Sequence, residues 1–60
     1  MSTRVLLADD LAFMRMVQRE ILKGEGFTVV GEASNGLEAV SLFAELRPDL
    51  TILDLSLIHI

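Results

Sequence analysis

The sequence predicts an α/β fold in which three parallel strands and two helices alternate in the order β-α-β-α-β. Two largely apolar runs, Val5–Ala8 and Leu50–Leu53, are typical of strands that are buried on both faces. Between them lie two segments whose apolar residues recur with a helical period, followed by glycine in one case and proline in the other. Strands that alternate with helices indicate a doubly wound parallel sheet with helices on both of its faces.

The first strand, Val5–Ala8, leads directly into two acids, Asp9 and Asp10. We expect one of these carboxylates to cap the helix that follows, because it can accept hydrogen bonds from the free amides of the first turn. In residues 11–23, the apolar side chains fall within one half of a helix and most charges fall within the other. The apolar half consists of Leu11, Phe13, Met14, Val17, Ile21 and Leu22.

We interpret the side chains of this first helix as having structural roles rather than roles in binding. Phe13 and Met14 are expected in the core rather than in a groove that binds a partner. The basic residues that recur every four positions are expected to form a solvated face rather than a nucleic-acid surface. These basic residues are Arg15, Arg19 and Lys23. Gly24 and Gly26 supply the C-terminal stop of the helix.

A strand and a helix follow in the middle of the chain. The second strand is Phe27–Ala33, and Ser34–Gly36 is a turn and helix-start signal. The second helix spans residues 37–46 and ends at or before Arg47, because Pro48 disfavours helical backbone at the residue that precedes it. Its polar side consists of Glu38, Ser41 and Glu45. Its apolar side consists of Ala39, Val40, Leu42, Phe43 and Leu46.

The third strand ends in a carboxylate, as the first one does. Leu50–Leu53 leads into Asp54, and Val5–Ala8 leads into Asp9 and Asp10. A charge is costly inside a core, so these acids are expected at the strand ends, where water and ligands reach them. We therefore predict that the two strands are parallel neighbours whose carboxylates meet.

Composition excludes several classes of protein. A chain of 60 residues with 52% hydrophobic content forms one globular unit of marginal stability, and it has no cysteine for a disulfide or a Cys/His zinc site. The net charge of −4 disfavours nucleic-acid binding but permits a divalent cation or a basic partner. The apolar runs are too short to span a membrane, and the acid pair ends the first run too early for a signal peptide. We expect a cytoplasmic protein.

Taken together, the motifs over residues 4–54 resemble the receiver domain of two-component response regulators, above all the single-domain receivers of chemotaxis. An acid pair alone would be weak evidence, whereas the ordered combination is highly specific. The motifs are, in order, Val5-Leu6-Leu7-Ala8-Asp9-Asp10, Phe13-Met14-Arg15, Gly26-Phe27, Val29-Val30-Gly31-Glu32-Ala33, Asn35-Gly36, Glu38-Ala39-Val40, Pro48-Asp49-Leu50 and Asp54.

The resemblance implies a truncated flavodoxin-like fold, with the first three of five parallel strands in the order 2-1-3-4-5. Ligands of such sheets bind at the carboxyl ends of strands 1 and 3. The resemblance also implies that Asp54 is the phosphoacceptor and that oxygen ligands bind Mg²⁺. The implied metal ligands are Asp9, Asp10, Asp54 and the backbone carbonyl of Ser56.

The function implied by the resemblance is phosphorelay signal transduction. A histidine kinase would phosphorylate Asp54 in a chemotaxis pathway, and the domain would act as a switch rather than as an enzyme in the usual sense. Further partners implied for the full-length protein are the flagellar motor switch or an attached output domain. Neither a nucleic acid nor a membrane is expected as a partner of this segment.

Two alternatives differ in their chemistry. A phosphohydrolase of the haloacid-dehalogenase kind also uses an Asp nucleophile and Mg²⁺, but there a second acid follows the nucleophile by two positions. Here Asp10 follows Asp9 directly and Leu11 occupies the position of the second acid, so the spacing disfavours a phosphohydrolase. In the other alternative the chain is a non-functional remnant, which phosphorylation of Asp54 would exclude.

The family pattern stops after Asp54, where a Met-Pro pair is expected at the third and fourth following positions but Leu57 and Ile58 occur. Residues 55–60 also resemble a translated mosaic-end adapter of transposase-based sequencing libraries. We therefore interpret residues 1–54 as a partial receiver domain and residues 55–60 as a non-native tail. The third strand would then be an unpaired edge with apolar surface beside it, so we expect self-association.

Overall fold

Three parallel strands form one sheet in which the first strand of the chain lies between the second and the third, with a helix following each of the first two strands. The structure, a computed structural model, describes residues 2–55. It confirms the predicted α/β fold and the order expected for the first three strands of a flavodoxin-like sheet. The elements are β1 (Arg4–Asp9), α1 (Ala12–Gly24), β2 (Thr28–Ala33), α2 (Gly36–Leu46) and β3 (Leu50–Asp54).

Strand β1 is the centre of the core. Its residues 5–8 expose none of their surface, because β1 pairs with a strand on each side and is covered by a helix on each face. The prediction of a strand buried on both faces is therefore confirmed for β1. It is wrong for β3, where Leu53 is 62% exposed. Among the described residues β3 pairs with β1 alone, and both helices pack mainly over β1 and β2.

The two helices lie on opposite faces of the sheet. A Cβ atom placed on Gly31 would lie 2.6 Å from Cδ1 of Leu46 and 3.4 Å from Leu6, so this face of β2 lies directly under α2. The next residue along β2 is Glu32, which pairs with arginines of α1. Because successive strand residues point to opposite faces, α1 and α2 cover different sides of the sheet. Glycine at position 31 permits the close approach of α2.

The start of α1 differs from the prediction that Asp9 or Asp10 would cap it. Leu11 is the N-cap residue and has no side-chain cap, because the two acids lie one and two positions before it, at the end of β1 and in the bend that follows. The C-terminal stop is confirmed at Gly26, whose φ of 92° is readily adopted only by glycine. Its amide donates to the Lys23 carbonyl and the next amide donates to Leu22, which is a Schellman motif.

The core role expected for Phe13 and Met14 is wrong. Phe13 is 68% exposed and Met14 is 38% exposed, whereas Val17 and Leu22 are half-buried. The helical period identifies an apolar half of α1, but contact with β1 and β2 buries only a narrower stripe of that half. In the described part of the chain, no element covers the remainder.

Helix α2 begins at the predicted turn. The Asn35 side chain is the N-cap and accepts a hydrogen bond from the Glu38 amide at 2.9 Å. The Glu38 carboxylate reaches back and accepts from both the amide and the hydroxyl of Ser34, each at 2.8 Å. These donors lower the pKa of Glu38 below its usual value, the amide more than the hydroxyl. The arrangement is a variant of the capping box, in which the glutamate accepts from the amide of the residue before the N-cap rather than from the N-cap amide itself.

Helix α2 ends where proline was expected to end it. Leu46 is its last residue, and Arg47 adopts the left-handed conformation with a φ of 48° immediately before Pro48. The guanidinium of Arg4 donates to the carbonyls of Leu46 and Arg47, at 2.8 and 2.9 Å. Carbonyls that have no partner within the helix are thereby satisfied by the first residue of β1.

The apolar side predicted for α2 is only partly covered. Ala39 is buried and Leu42 and Leu46 are half-buried, whereas Val40 is 71% exposed and Phe43 is also exposed. The exposed pair borders an apolar groove of about 220 Å³ between α2 and β3. We call it the α2–β3 groove, and its lining residues are Ala39, Val40, Phe43, Thr51 and Leu53. No helix among residues 2–55 has the length and apolar character to cross a membrane.

The Glu38 contact predicts a pH-dependent stability. Because the folded-state pKa of Glu38 is lowered, its contribution is fully present above the unfolded pKa of about 4.3 and is lost as the pH falls through the folded value. Glu38→Gln should therefore lower the urea midpoint at pH 7, and its difference from wild type should shrink at acidic pH. The solvent-facing Glu45→Gln is the control, and a pH-independent difference for Glu38→Gln would contradict this account.

Candidate functional site

The acids that end β1 and β3 lie side by side at one edge of the sheet. The two strands pair in parallel from Val5 opposite Leu50 to Asp9 opposite Asp54, without a shift of register. Parallel strands that start together also end together, so both terminal acids reach the carboxyl edge. The prediction that these strands are parallel neighbours is confirmed. In open sheets of this class, this edge is where ligands bind.

Asp9 is buried, with 1% of its surface exposed. Its Oδ1 atom accepts a hydrogen bond from the Leu11 amide at 2.9 Å. Its Oδ2 atom is also buried, and none of the described residues donates to it. A buried carboxylate oxygen without a donor costs free energy of the order of 1–3 kcal/mol, which a bound cation would offset. This oxygen is therefore a suitable ligand for Mg²⁺, which prefers hard oxygen donors.

Asp54 has the opposite environment. Its side chain is exposed, and its Oδ2 atom accepts a long hydrogen bond of 3.4 Å from Nε2 of Gln18 on α1. The Gln18 amide oxygen is buried and has no partner among the described residues. The sequence pattern did not predict this contact, although it contained a signal for it. Gln18 is a polar residue at a position that the helical period assigns to the apolar half of α1.

Asp10 follows Asp9 in the bend before α1 and is half-buried. The acids near this edge of the sheet thus differ in exposure, from the enclosed Asp9 through the half-buried Asp10 to the accessible Asp54. Within residues 2–55, no group of three Asp, Glu, His or Cys side chains is arranged closely enough to hold a metal ion. Mg²⁺ commonly takes one or two protein carboxylates and completes its shell with water and phosphate oxygens, so a pair of these acids suits it.

The fourth expected ligand, the backbone carbonyl of Ser56, lies outside the described residues. The same is true of nearly all of the tail interpreted above as non-native, of which only Leu55 is described.

A cluster of charged residues supports the site from the α1 face. Arg15 and Arg19 each contact one carboxylate oxygen of Glu32, at 3.3 and 3.1 Å. The hydrogen bond that Arg19 donates to Glu32, and a second one that it donates to Glu20, raise the pKa of Arg19 above its ordinary value. Arg15 also donates from Nη1 to the backbone carbonyl of Asp9 at 2.8 Å. The expectation of a fully solvated basic face is therefore wrong for these two arginines, because Glu32 on β2 faces α1.

Comparison with known proteins identifies one family. The family model of the response regulator receiver domain matches residues 5–60. The chain is 47% identical over 57 residues to the chemotaxis protein CheY of Thermotoga maritima and, with the same identity and length, to CheY of Bacillus subtilis. Each match covers 95% of this chain and 48% of the relative, so the chain spans about half the length of these curated relatives.

A relative with another name matches the same part of the chain. The transcriptional regulatory protein PdtaR of Mycobacterium tuberculosis is 48% identical over 54 residues, which are 90% of this chain and 26% of that protein. Similarity of this degree therefore extends to relatives that are described by different biological roles.

The environment of Asp9 predicts a stabilising substitution. Asp9→Asn removes a buried negative charge that follows the core of β1 and lies beside two other acids. We expect the free energy of unfolding in cation-free buffer to rise by about 1 kcal/mol, as measured by urea denaturation. Exposed Glu45→Gln should change it by less than about 0.5 kcal/mol. A larger loss of stability for Asp9→Asn than for Glu45→Gln would show that the carboxylate is satisfied as it stands.

Proposed function

The chain belongs to the response regulator receiver domain family, and on that basis we propose that it accepts a phosphoryl group on Asp54 from a histidine kinase in the presence of Mg²⁺. The observation that carries the proposal is the register that sets Asp54 beside Asp9 at the carboxyl edge of the sheet. One acid is exposed and can reach a phosphodonor, whereas the other is buried and has an oxygen without a protein donor.

The chemistry requires little from the protein beyond position and charge. An oxygen of Asp54 attacks the phosphorus of the donor and forms an O–P bond. The bond from phosphorus to the donor nitrogen breaks, and its electron pair leaves with the imidazole of the kinase. The product is an acyl phosphate on Asp54. Exposure of Asp54 allows the donor to approach, and the contact with Gln18 restrains the side chain.

Asp9 and Asp10 are proposed to hold Mg²⁺, and Asp54 is proposed as a further ligand on the resemblance alone, since the side chains described in residues 2–55 form no group of three acids close enough to share an ion. When bound, Mg²⁺ neutralises the negative charge that accumulates among the acids and the transferred phosphoryl group. Asp9 is suited to this role because the sheet and α1 enclose it, so its carboxylate has few alternative partners. Asp54 must remain accessible, and its position at the carboxyl end of β3 provides this. The carbonyl of Ser56 is proposed as an additional ligand on the resemblance alone.

The pathway and partners are proposed from the relatives. Two relatives that match 95% of the chain are named as chemotaxis proteins, which supports a role in chemotaxis. The phosphorylated domain would act as a cytoplasmic signalling switch rather than as an enzyme, and would bind a flagellar motor switch or regulate an output domain. The second arrangement is kept as an alternative because one relative, PdtaR, is named a transcriptional regulatory protein.

We further propose that residues 1–54 are receiver sequence and that residues 55–60 are not native. The family match extends through residue 60, so this boundary rests on the adapter-like hexapeptide itself. The codons of the source DNA test it directly. Codons that match the adapter support the proposal, and different codons for these six residues contradict it.

Phosphorylation of Asp54 is tested with a small-molecule donor. Incubation with acetyl phosphate and Mg²⁺ should add the mass of one phosphoryl group to the intact chain, as measured by mass spectrometry. Asp54→Asn should abolish the mass shift, whereas Asp49→Asn, which lies just before the start of β3, should retain it. A wild-type chain that shows no mass shift, or a shift that survives Asp54→Asn, would contradict the proposed function.

Self-association is the remaining proposal about partners. Within residues 2–55, one edge of β3 has no partner strand, and the exposed Leu53 lies there beside the α2–β3 groove. Such an edge can pair with a second strand, and lysine on an edge strand opposes that pairing. We expect oligomers of the wild-type chain in sedimentation velocity and a shift toward monomer for Leu53→Lys. Leu37→Lys is the control, because Leu37 is 84% exposed but does not line the groove. A wild-type chain that is monomeric and melts cooperatively would refute the proposal.

A further inference from the structure

We infer that Arg15 is a positioning residue for the acidic turn, which we define as residues 9–11. Arg15 holds the backbone of Asp9 so that its carboxylate stays at the edge of the sheet, in the orientation required to bind a divalent cation. The inference rests on the proposed function, because that function gives Asp9 its role as a cation ligand.

Two hydrogen bonds to Asp9, one to its backbone and one to its side chain, hold the acidic turn in place. Nη1 of Arg15 donates to the Asp9 carbonyl at 2.8 Å, and the Leu11 amide donates to the Asp9 carboxylate at 2.9 Å. The first contact fixes the peptide plane that leaves β1, and the second fixes the side chain relative to that plane. A hydrogen bond from a guanidinium is charge-assisted and therefore stronger than a neutral one.

The guanidinium of Arg15 is itself held in place. Its Nε atom lies 3.3 Å from Oε1 of Glu32, and Nη1 of Arg19 holds the other oxygen of that carboxylate at 3.1 Å. The side chains of Arg15 and Glu32 are both half-buried, so water screens their pairing less than it screens a pair on an open surface. The chain Glu32–Arg15–Asp9 thus runs from β2 through α1 to the end of β1.

The structure supplies a matched control for Arg15. Arg19 lies one turn later on the same face of α1 and pairs with the same glutamate. Its hydrogen bonds and ion pairs are with Glu20 and Glu32, and neither of these residues belongs to the acidic turn. Loss of either arginine therefore removes an ion pair to Glu32. Only loss of Arg15 also releases the carbonyl of Asp9.

The experiment compares wild type, Arg15→Gln and Arg19→Gln in two measurements on the full chain. Isothermal titration with Mg²⁺ should show about tenfold weaker binding for Arg15→Gln, the loss typical of residues that orient metal ligands. Arg19→Gln should change the affinity by less than about twofold. Amide hydrogen exchange in the absence of cation should be faster at Leu11 in Arg15→Gln alone. Exchange in the centre of β1 reports global stability and should respond similarly in both variants.

The outcomes separate this inference from the proposed function. If wild type binds Mg²⁺ and both variants bind it equally well, Arg15 has no positioning role and the proposed function stands. If wild type does not bind Mg²⁺, the proposed cation site is wrong, and the cation-binding role of Arg15 is wrong with it. Leu11 exchange then still decides the structural part: unchanged exchange in Arg15→Gln overturns the claim that Arg15 holds the acidic turn. If Arg15→Gln unfolds, Arg15→Lys is used, because a single ammonium cannot hold both Glu32 and the Asp9 carbonyl in the fixed geometry of a guanidinium.

Discussion

The complete burial of β1 is the constraint on which the rest of the structure depends. Its four apolar residues lose all contact with water only when a strand lies on each side and a helix on each face. Each further element supplies part of that enclosure, since β2 and β3 close the sides while α1 and α2 close the faces. The same enclosure buries Asp9, which is the next residue of the strand. The buried strand thus places a carboxylate at the edge of the sheet, and the elements that enclose the strand limit which groups can contact that carboxylate.

This arrangement lowers the stability of the fold at the proposed functional site. The Oδ2 atom of Asp9 is buried without a donor among the described residues, and Asp54 stands beside it in the register. Like charges on neighbouring strands repel each other. A protein under no demand except stability would place a neutral residue at position 9. The cost is understandable if a divalent cation offsets it during phosphoryl transfer, and the contacts of Arg15 hold the acidic turn in place meanwhile.

Much of the fold could be predicted because local chemistry determines it. Glycine at position 26 and proline at position 48 fix the ends of the helices, and Asn35 fixes the start of α2. The neighbouring strands and their acidic ends followed from two apolar runs. Other features depend on which element packs against a given residue, and a periodic sequence pattern does not contain that information. Phe13 belongs to an apolar half of α1 that is only partly covered, and Arg15 on the same helix is half-buried because Glu32 on β2 faces it.

We propose that pairing of β1 with β3 brings their terminal acids together so that they bind one divalent cation. Paramagnetic broadening by Mn²⁺ in the amide spectrum tests it most directly, because the broadening falls off steeply with distance from the ion. We expect amides 9–11 and 53–55 to broaden together at low Mn²⁺, while amides at the opposite ends of both strands remain sharp. Broadening at only one of the two strand ends, or mainly around surface acids such as Glu20 and Glu45, would contradict it.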